Sequence, residues 1–516
     1  MFEFHKKNKQ KAVDDKVNNL NQKMEDNVLS TSLETNVSFL KKIFQDDDTV
    51  IIRHIQNNYD KSLKYCAAYC DGLINSLIIN ENIIKPLMLS EIKAGNDLME
   101  TVINQVVLIN DAQKVTSFKS IIEAITYGDT ILFLDGSPEA LILSTKGFVT
   151  RSTAEPDSEK ILSGPREGFT ESLIINLSLI HRRLRTNELK MKFKSFGRRT
   201  NTKACICYLD HIVNKKILKE LYRRLDQIDI DGILDTNYFT ELIRDCPASP
   251  FRVTGYTERP DVVVGKLLEG RIAIFLDGTP VVITVPYLFI ENFQSSEDYY
   301  LSFFYTSFSR MIRMLGFFLT ISVPAFFIAV VAYHQEMLPT PLLINVASER
   351  ASVPLPAAIE AFIMLLVFDI LRETGIRMPS NVGQALSIVG ALVIGQAAVE
   401  AKLVASPMII VVATTGITSL LVPKMNAPIT FIRMTLLSLA SLLGLFGVIL
   451  GLCGLFVHML NLSSFGIPQL TPTGNLQYQE LKDTIIRAPW WQMITRRKVL
   501  SQDKVRMKQN DRDSHD

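Results

Sequence analysis

Residues 311–333 read MIRMLGFFLTISVPAFFIAVVAY, and they open a block that stays almost continuously apolar as far as Leu460. A helix needs about 20 mostly apolar residues to cross a hydrocarbon core of about 30 Å, and this stretch is long enough. Four more follow at 355–371, 382–399, 408–422 and 434–460, with proline or charged residues between most of them. The fourth, lying between Pro407 and Pro423, is the shortest. The residues before 311 have the composition of a water-facing protein. The pattern predicts an α/β cytoplasmic body followed by an α-helical polytopic membrane domain of four to five helical segments.

Lys and Arg concentrate in short cytoplasmic loops. Arg310 and Arg313 before the first stretch, Arg372 and Arg377 after the second, and Lys424 and Arg433 after the fourth all place the body in the cytoplasm. The tail carries Arg496, Arg497, Lys498, Lys504, Arg506 and Lys508, which demand the same side. An even number of crossings is therefore expected. The short 408–422 stretch then becomes a re-entrant or broken segment, which needs protein or water to satisfy its backbone.

The body contains a duplication. Phe133-Leu134-Asp135-Gly136-Ser137-Pro138 returns as Phe275-Leu276-Asp277-Gly278-Thr279-Pro280. Cys66, Tyr69, Asp71, Leu73, Ile74 and Asn75 return as Cys205, Tyr208, Asp210, Ile212, Val213 and Asn214. Two related subdomains are expected. The division is a disordered lead-in over 1–34, a first subdomain over 35–145, and a linker with a basic amphipathic helix over 146–200. A second subdomain over 201–305, the membrane domain over 306–462 and a cytoplasmic tail over 463–516 complete it. Residues 50–53 and 203–209 read as strands, and Val213, Ile217, Leu221 and Leu225 as one helix face. Each Asp-Gly pair lies between apolar runs, at 130–134 and 140–143 and again at 272–276 and 281–285, which is a hairpin signal.

The hairpins Asp135-Gly136 and Asp277-Gly278 superficially resemble a phosphatase aspartyl motif. That chemistry needs a second Asp two residues earlier, where Phe133 and Phe275 stand, so they are read as turns. No phosphate loop, nucleophile elbow or zinc-protease helix is present, and no enzyme, cofactor or metal site is expected. A net charge of +2 gives no reason to expect nucleic acid. The six Cys lack paired zinc spacing and are read as reduced, buried or strand residues. No secretory signal opens the chain.

Between the halves, Gly164-Pro165-Arg166-Glu167-Gly168-Phe169-Thr170-Glu171 leads into a helix with the apolar stripe Leu173, Leu177, Ile180 and Leu184. Further on stand Tyr256-Thr257-Glu258-Arg259-Pro260-Asp261, then Lys266-Leu267-Leu268-Glu269-Gly270-Arg271, and then Phe465-Gly466-Ile467-Pro468. Lys482-Asp483-Thr484 and Arg487-Ala488-Pro489-Trp490-Trp491 complete the series. Across about 35–495 the chain resembles the A subunit of bacterial spore germinant receptors, the GerA family; it departs at the lead-in, the last twenty or so residues and Ala488. The resemblance implies a membrane subunit in the spore inner membrane, working with a permease-like B subunit and a lipoprotein C subunit. It also implies a homo-oligomer whose membrane segments form a nutrient-gated ion channel. A secondary transporter and a structural scaffold are the alternatives. The Gly164–Phe169 and Glu258–Asp261 motifs are read as structural or coupling residues.

Three charged features have two readings each. The 182–199 run holds eight Lys or Arg against one Glu; it meets lipid head groups or is a solvated helix face continuing into a loop. Trp490 and Trp491 anchor at the membrane interface or pack a small tail domain. Glu360, Asp369 and Glu373 lie in or near the second stretch, where ionisable groups are costly, and are candidates for the ion pathway. Asp369, Arg372, Glu373 and Arg377 have the spacing to pair along one helix face. Glu360 has no such partner and must face another helix, another subunit or water.

Overall fold

A computed structural model describes residues 28–506 except 93–97, 148–155, 157–158, 162, 378–392, 471–481, 498 and 504. The chain divides into two compact units. The first comprises residues 1–243, 254–286 and 496–504, and the second residues 244–253, 287–495 and 505–516.

The first unit is two copies of one antiparallel design. Strands β1 (Val50–Gln56), β2 (Lys64–Cys70), β3 (Ala112–Val115), β4 (Thr130–Leu134) and β5 (Ala140–Leu143) form a sheet in the order β1-β2-β4-β5-β3. Strands β6 (Leu189–Phe196), β7 (Thr202–Leu209), β8 (Gly255–Thr257), β9 (Ile272–Leu276) and β10 (Val282–Val285) repeat it as β6-β7-β9-β10-β8. The two sequence landmarks are cross-strand partners in each copy, Cys66 opposite Phe133 and Cys205 opposite Phe275. Strands β4 and β9 are buried at every position, as central strands covered on both faces must be.

The repeat starts earlier than the sequence landmarks suggest. In the first copy, Ser30 and Asn36 exchange two hydrogen bonds and helix Leu33–Ile43 follows. In the second, Thr170 and Asn176 do the same ahead of helix Leu173–Arg183. Each turn carboxylate then accepts from its helix's first N–H: Asp135 from Leu33 and Asp277 from Leu173. Residues 28–34 are therefore part of the fold and not of a disordered lead-in, and Leu29 and Leu33 are core residues. Residues 1–27 lie outside the described residues.

The 146–200 linker is corrected in the same way. Its helix opens the second copy, and its basic run contains β6. The lysines of that run bond within the body: Lys190 to the Ile43 carbonyl, Lys192 to Asp46 and Lys194 to Asp226. Arg182 and Arg183 hold Glu167, and Arg198 holds Asp229. Much of the run is thus strand and not a helix face, with these charges paired within the body. Helix Lys215–Asp226 buries Ile217, Leu221 and Leu225, while Val213 precedes the helix and its cap residue Asn214.

Among the described residues of the second unit, two helical stretches are long and apolar enough to cross a membrane, Phe303–Tyr333 and Pro423–Asn461. They pack against each other, with Phe317, Ile321 and Ala325 meeting Ile429, Leu436 and Ala440 in one core. The latter contains a break at Gly444, whose φ of 63° and ψ of −139° are not helical. Helix Ala357–Arg377 is 21 residues long but carries five charged residues. Helix Ser406–Ser419 has 14 residues, about 21 Å at 1.5 Å per residue, short of the hydrocarbon thickness. Residues 382–392 of the expected third stretch lie outside the described residues; 393–400 are helical. Between the first two apolar stretches lies a further helix, Thr340–Ala351.

Candidate functional site

In the first unit, the two motifs read as structural or coupling residues are brought together. The Phe169 N–H donates to the Glu258 carbonyl at 2.8 Å, and its ring meets Phe275 edge-on at 5.5 Å. Arg259, 1% exposed, donates to the Pro165 carbonyl at 2.6 Å and to Asp261 at 3.0 Å. Pro260 starts helix Pro260–Leu268, where its missing N–H leaves no bond unmade. Burial raises the Glu167 carboxyl, but Arg182 and Arg183 outweigh it and hold the group below its usual range. Gly164 takes a positive φ of 125°, and Arg166 and Gly168 lie in the same loop. The cluster is a polar clamp joining the loop, helix Leu173–Arg183 and the second sheet.

The joint between the two copies contains His181. Its Nε2 lies 3.2 Å from the Thr49 hydroxyl, which is also 2.7 Å from Asp47. Burial lowers the imidazole from its usual range, with Asp47 partly opposing. An unfolded chain therefore takes up this proton before the folded one. The associated stability is present above about pH 6.5, the ordinary histidine value, and is lost as the pH falls below it. Thermal unfolding of the detergent-purified protein at pH 7.5 and 5.5 should show this loss, and His181→Gln should flatten it. An unchanged pH dependence in that variant contradicts the assignment.

The hairpin glycines have φ of 86° at Gly136 and 89° at Gly278, and no atom lies within 4 Å of a Cβ added at either. The connections are wider than a two-residue turn, because Phe133 opposite Ala140 is the last described pair of its ladder. Gly278→Val should therefore destabilise through backbone strain alone, by about 1–3 kcal/mol. Asp277→Asn keeps an acceptor for the Leu173 N–H and should cost under about 1 kcal/mol, whereas Asp277→Ala loses the cap at about 0.5–2 kcal/mol. Protein levels and unfolding temperature check the series. Lost function at normal stability in the Asn variant would show a chemical role instead.

In the second unit, charge concentrates in two places. At the head of helix Phe303–Tyr333, Arg310 is 1% exposed and donates to Asp298 at 2.7 Å, to Asp483 at 2.8 Å and to the Thr484 carbonyl. Arg313 also holds Asp298. The guanidinium of Arg487 lies over the rings of Tyr299 and Trp490, and Trp491 meets Phe303 edge-on. The Asp483-to-Trp491 motif is thus latched to the first long helix. Trp490 and Trp491 are 46% and 65% exposed, which fits an interface anchor better than a packed tail core.

The second place is among the apolar helices. Glu360, expected to face another helix, another subunit or water, is buried and accepts from the Ala405 N–H at 2.6 Å. Ala405 caps helix Ser406–Ser419, so the carboxylate lies at that helix's positive end. Asp369 pairs with Arg372 at 3.2 Å, as its spacing suggests, and also with Arg433 of the last helix at 2.6 Å. Arg433, read from sequence only as an orientation signal, is 0% exposed. Glu373 pairs with Arg377 and is exposed. Of the three acidic pathway candidates, Glu360 is buried and Asp369 half-buried in contacts within the chain, and Glu373 is exposed.

Among the described residues no group of three or more His, Cys, Asp or Glu is placed to hold a metal ion. Cys66, Cys70, Cys205 and Cys207 are buried in β2 and β7, and burial pushes the Cys66 thiol up to about 12. Cys246 is only half-buried, and Cys453 is exposed on the last helix, contrary to the buried-or-strand expectation.

The chain thus joins a duplicated α/β body to a unit with buried ion pairs and, among the described residues, two helical stretches long and apolar enough to cross a membrane. The chain belongs to the Bacillus/Clostridium GerA spore germination protein family, which it matches over residues 38–499. It is 40% identical over 488 residues to Spore germination protein KA of Bacillus subtilis (strain 168), covering 94% of this chain and 90% of that one. It is 39% identical to Uncharacterized membrane protein YfkQ of the same organism, covering 93% and 94%. It is 35% identical to Spore germination protein GerLA of Bacillus cereus, covering 83% and 88%. The crystal structure of the N-terminal domain of the A subunit of the Bacillus megaterium spore germinant receptor GerK3 aligns at 30% identity and a TM-score of 0.41. That alignment covers 51% of this chain and 98% of that one.

Proposed function

We propose that this chain is the A-type membrane subunit of a spore germinant receptor. It resides in the spore inner membrane, acts with a permease-like B subunit and a lipoprotein C subunit, and oligomerises so that its apolar helices surround an ion pathway opened by nutrient. The observation that carries the reading is the family match over nearly the whole chain. Acidic groups among the apolar helices support the ion pathway, and Glu373, the exposed one, is its best-placed lining residue. Glu360 and Asp369 serve the pathway indirectly, by holding helices. No catalytic step belongs to this reading. Deleting the gene should abolish the spore's response to at least one nutrient; an unaltered response to every nutrient tested overturns it.

The topology is part of the proposal. Residues 496–504 group with the α/β body, which supports body and tail sharing the cytoplasmic side and an even number of crossings. In a cysteine-free background, a Cys at Gln502 should resist membrane-impermeant reagents applied outside intact cells. Labelling from outside contradicts even crossing.

A further inference from the structure

The two copies of the body finish the same local structure with different parts of the chain. In the first, the backbone after β2 is covered by the residues that follow β5. Ile74 bridges Lys146, the Gly147 N–H donates to the Leu73 carbonyl at 3.0 Å, and the Asn75 N–H donates to the Thr145 carbonyl at 2.8 Å. In the second copy the equivalent positions are Ile212, Val213 and Asn214. Strand β10 ends at Val285 and its chain leaves for the second unit, so no adjacent residues cover them. The tail does so instead: Val213 bridges Ser501, and the Gln502 N–H donates to the Ile212 carbonyl at 3.0 Å. Arg496 Nε donates to the Leu268 carbonyl at 2.6 Å.

We propose that the groove beside Ile212 and Val213 is a peptide-docking slot, and that residues 499–502 of the same chain occupy it as a releasable clasp. The slot is shaped for a close main chain. Gly270, with φ +88°, would bring an added Cβ within 3.0 Å of the Leu500 carbonyl oxygen and of the Ser501 Cβ. Leu500 and Ser501 are 1% and 3% exposed there. In the first copy the filler cannot leave, being tied to β5 three residues away. In the second, the filler returns only after the whole second unit, and its grip combines main-chain bonds, the side-chain bonds of Arg496 and Asn214 to backbone carbonyls, and the buried Leu500 and Ser501. The clasp fixes both the exit and the return of that unit's chain to one subdomain, beside the cap of helix Lys215–Asp226. The proposal is independent of the receptor reading.

The test uses the full-length protein in native membranes, in a cysteine-free background. Val213→Cys with Ser501→Cys should cross-link within one chain on mild oxidation. Cross-links solely between chains would show a swapped tail and overturn the intramolecular clasp; no cross-link overturns docking. Ser501→Cys alone should react slowly with a permeant maleimide, and to completion below the unfolding temperature. Leu500→Asp should raise that rate tenfold or more with the unfolding temperature of the chain unchanged, and Gly270→Val should raise it as well. A rate unaffected by Leu500→Asp, or no reaction short of unfolding, overturns the releasable clasp.

Discussion

Asp369→Ala should destabilise the helical unit by about 3–5 kcal/mol, the usual penalty for removing one partner of a buried ion pair. Asp369 is the carboxylate that both Arg372 and Arg433 reach in ion pairs. Without it two guanidinium groups face each other among apolar helices, and Arg433 is fully buried. Combining Asp369→Ala with Arg433→Leu should recover most of the loss, because replacing a buried pair by apolar groups is close to neutral. The unfolding temperature of detergent-purified protein distinguishes the variants. A single variant as stable as the parent would mean that water or another chain satisfies Arg433.

Arg310→Met should cost a similar amount, about 3–5 kcal/mol, for the converse reason. It leaves Asp298, also buried, with Arg313 as its remaining ion-pair partner among the described residues, and removes the Arg310 bonds that tie Asp483 and Thr484 to the first long helix. Arg310→Lys should fall between, since an ammonium group cannot reproduce the fork that reaches Asp298 and Asp483 together. Protease sensitivity around residues 482–497 should rise with the loss of stability. Unchanged sensitivity in Arg310→Met would show that the Trp490–Trp491 contacts hold the segment without the latch.

Local periodicity made the hairpins, β1, β7 and the duplication legible, because period-2 strands and Asp-Gly turns depend on neighbouring residues. Strand β6 carried the same signal in Leu189, Met191 and Phe193 alternating with Lys190, Lys192 and Lys194, but the count of positive charges drew the reading toward a helix face. The start of each copy was legible too: Ser-Leu-x-x-Asn occurs at both 32–36 and 172–176. The Ala405 partner of Glu360 and the Arg433 partner of Asp369 were not. They lie 45 and 64 residues away in sequence, and no spacing rule within one helix reaches that far. Tail docking was hidden for the same reason.

The role proposed for this chain is to help form a nutrient-opened ion pathway. Ion flux across membranes containing the chain together with permease-like and lipoprotein subunits, recorded before and after nutrient is added, tests it most directly. Selective current that appears on nutrient addition and changes its ion preference in Glu373→Gln is the predicted result. Saturable solute uptake without current, or no flux of either kind from an assembled complex, would contradict it.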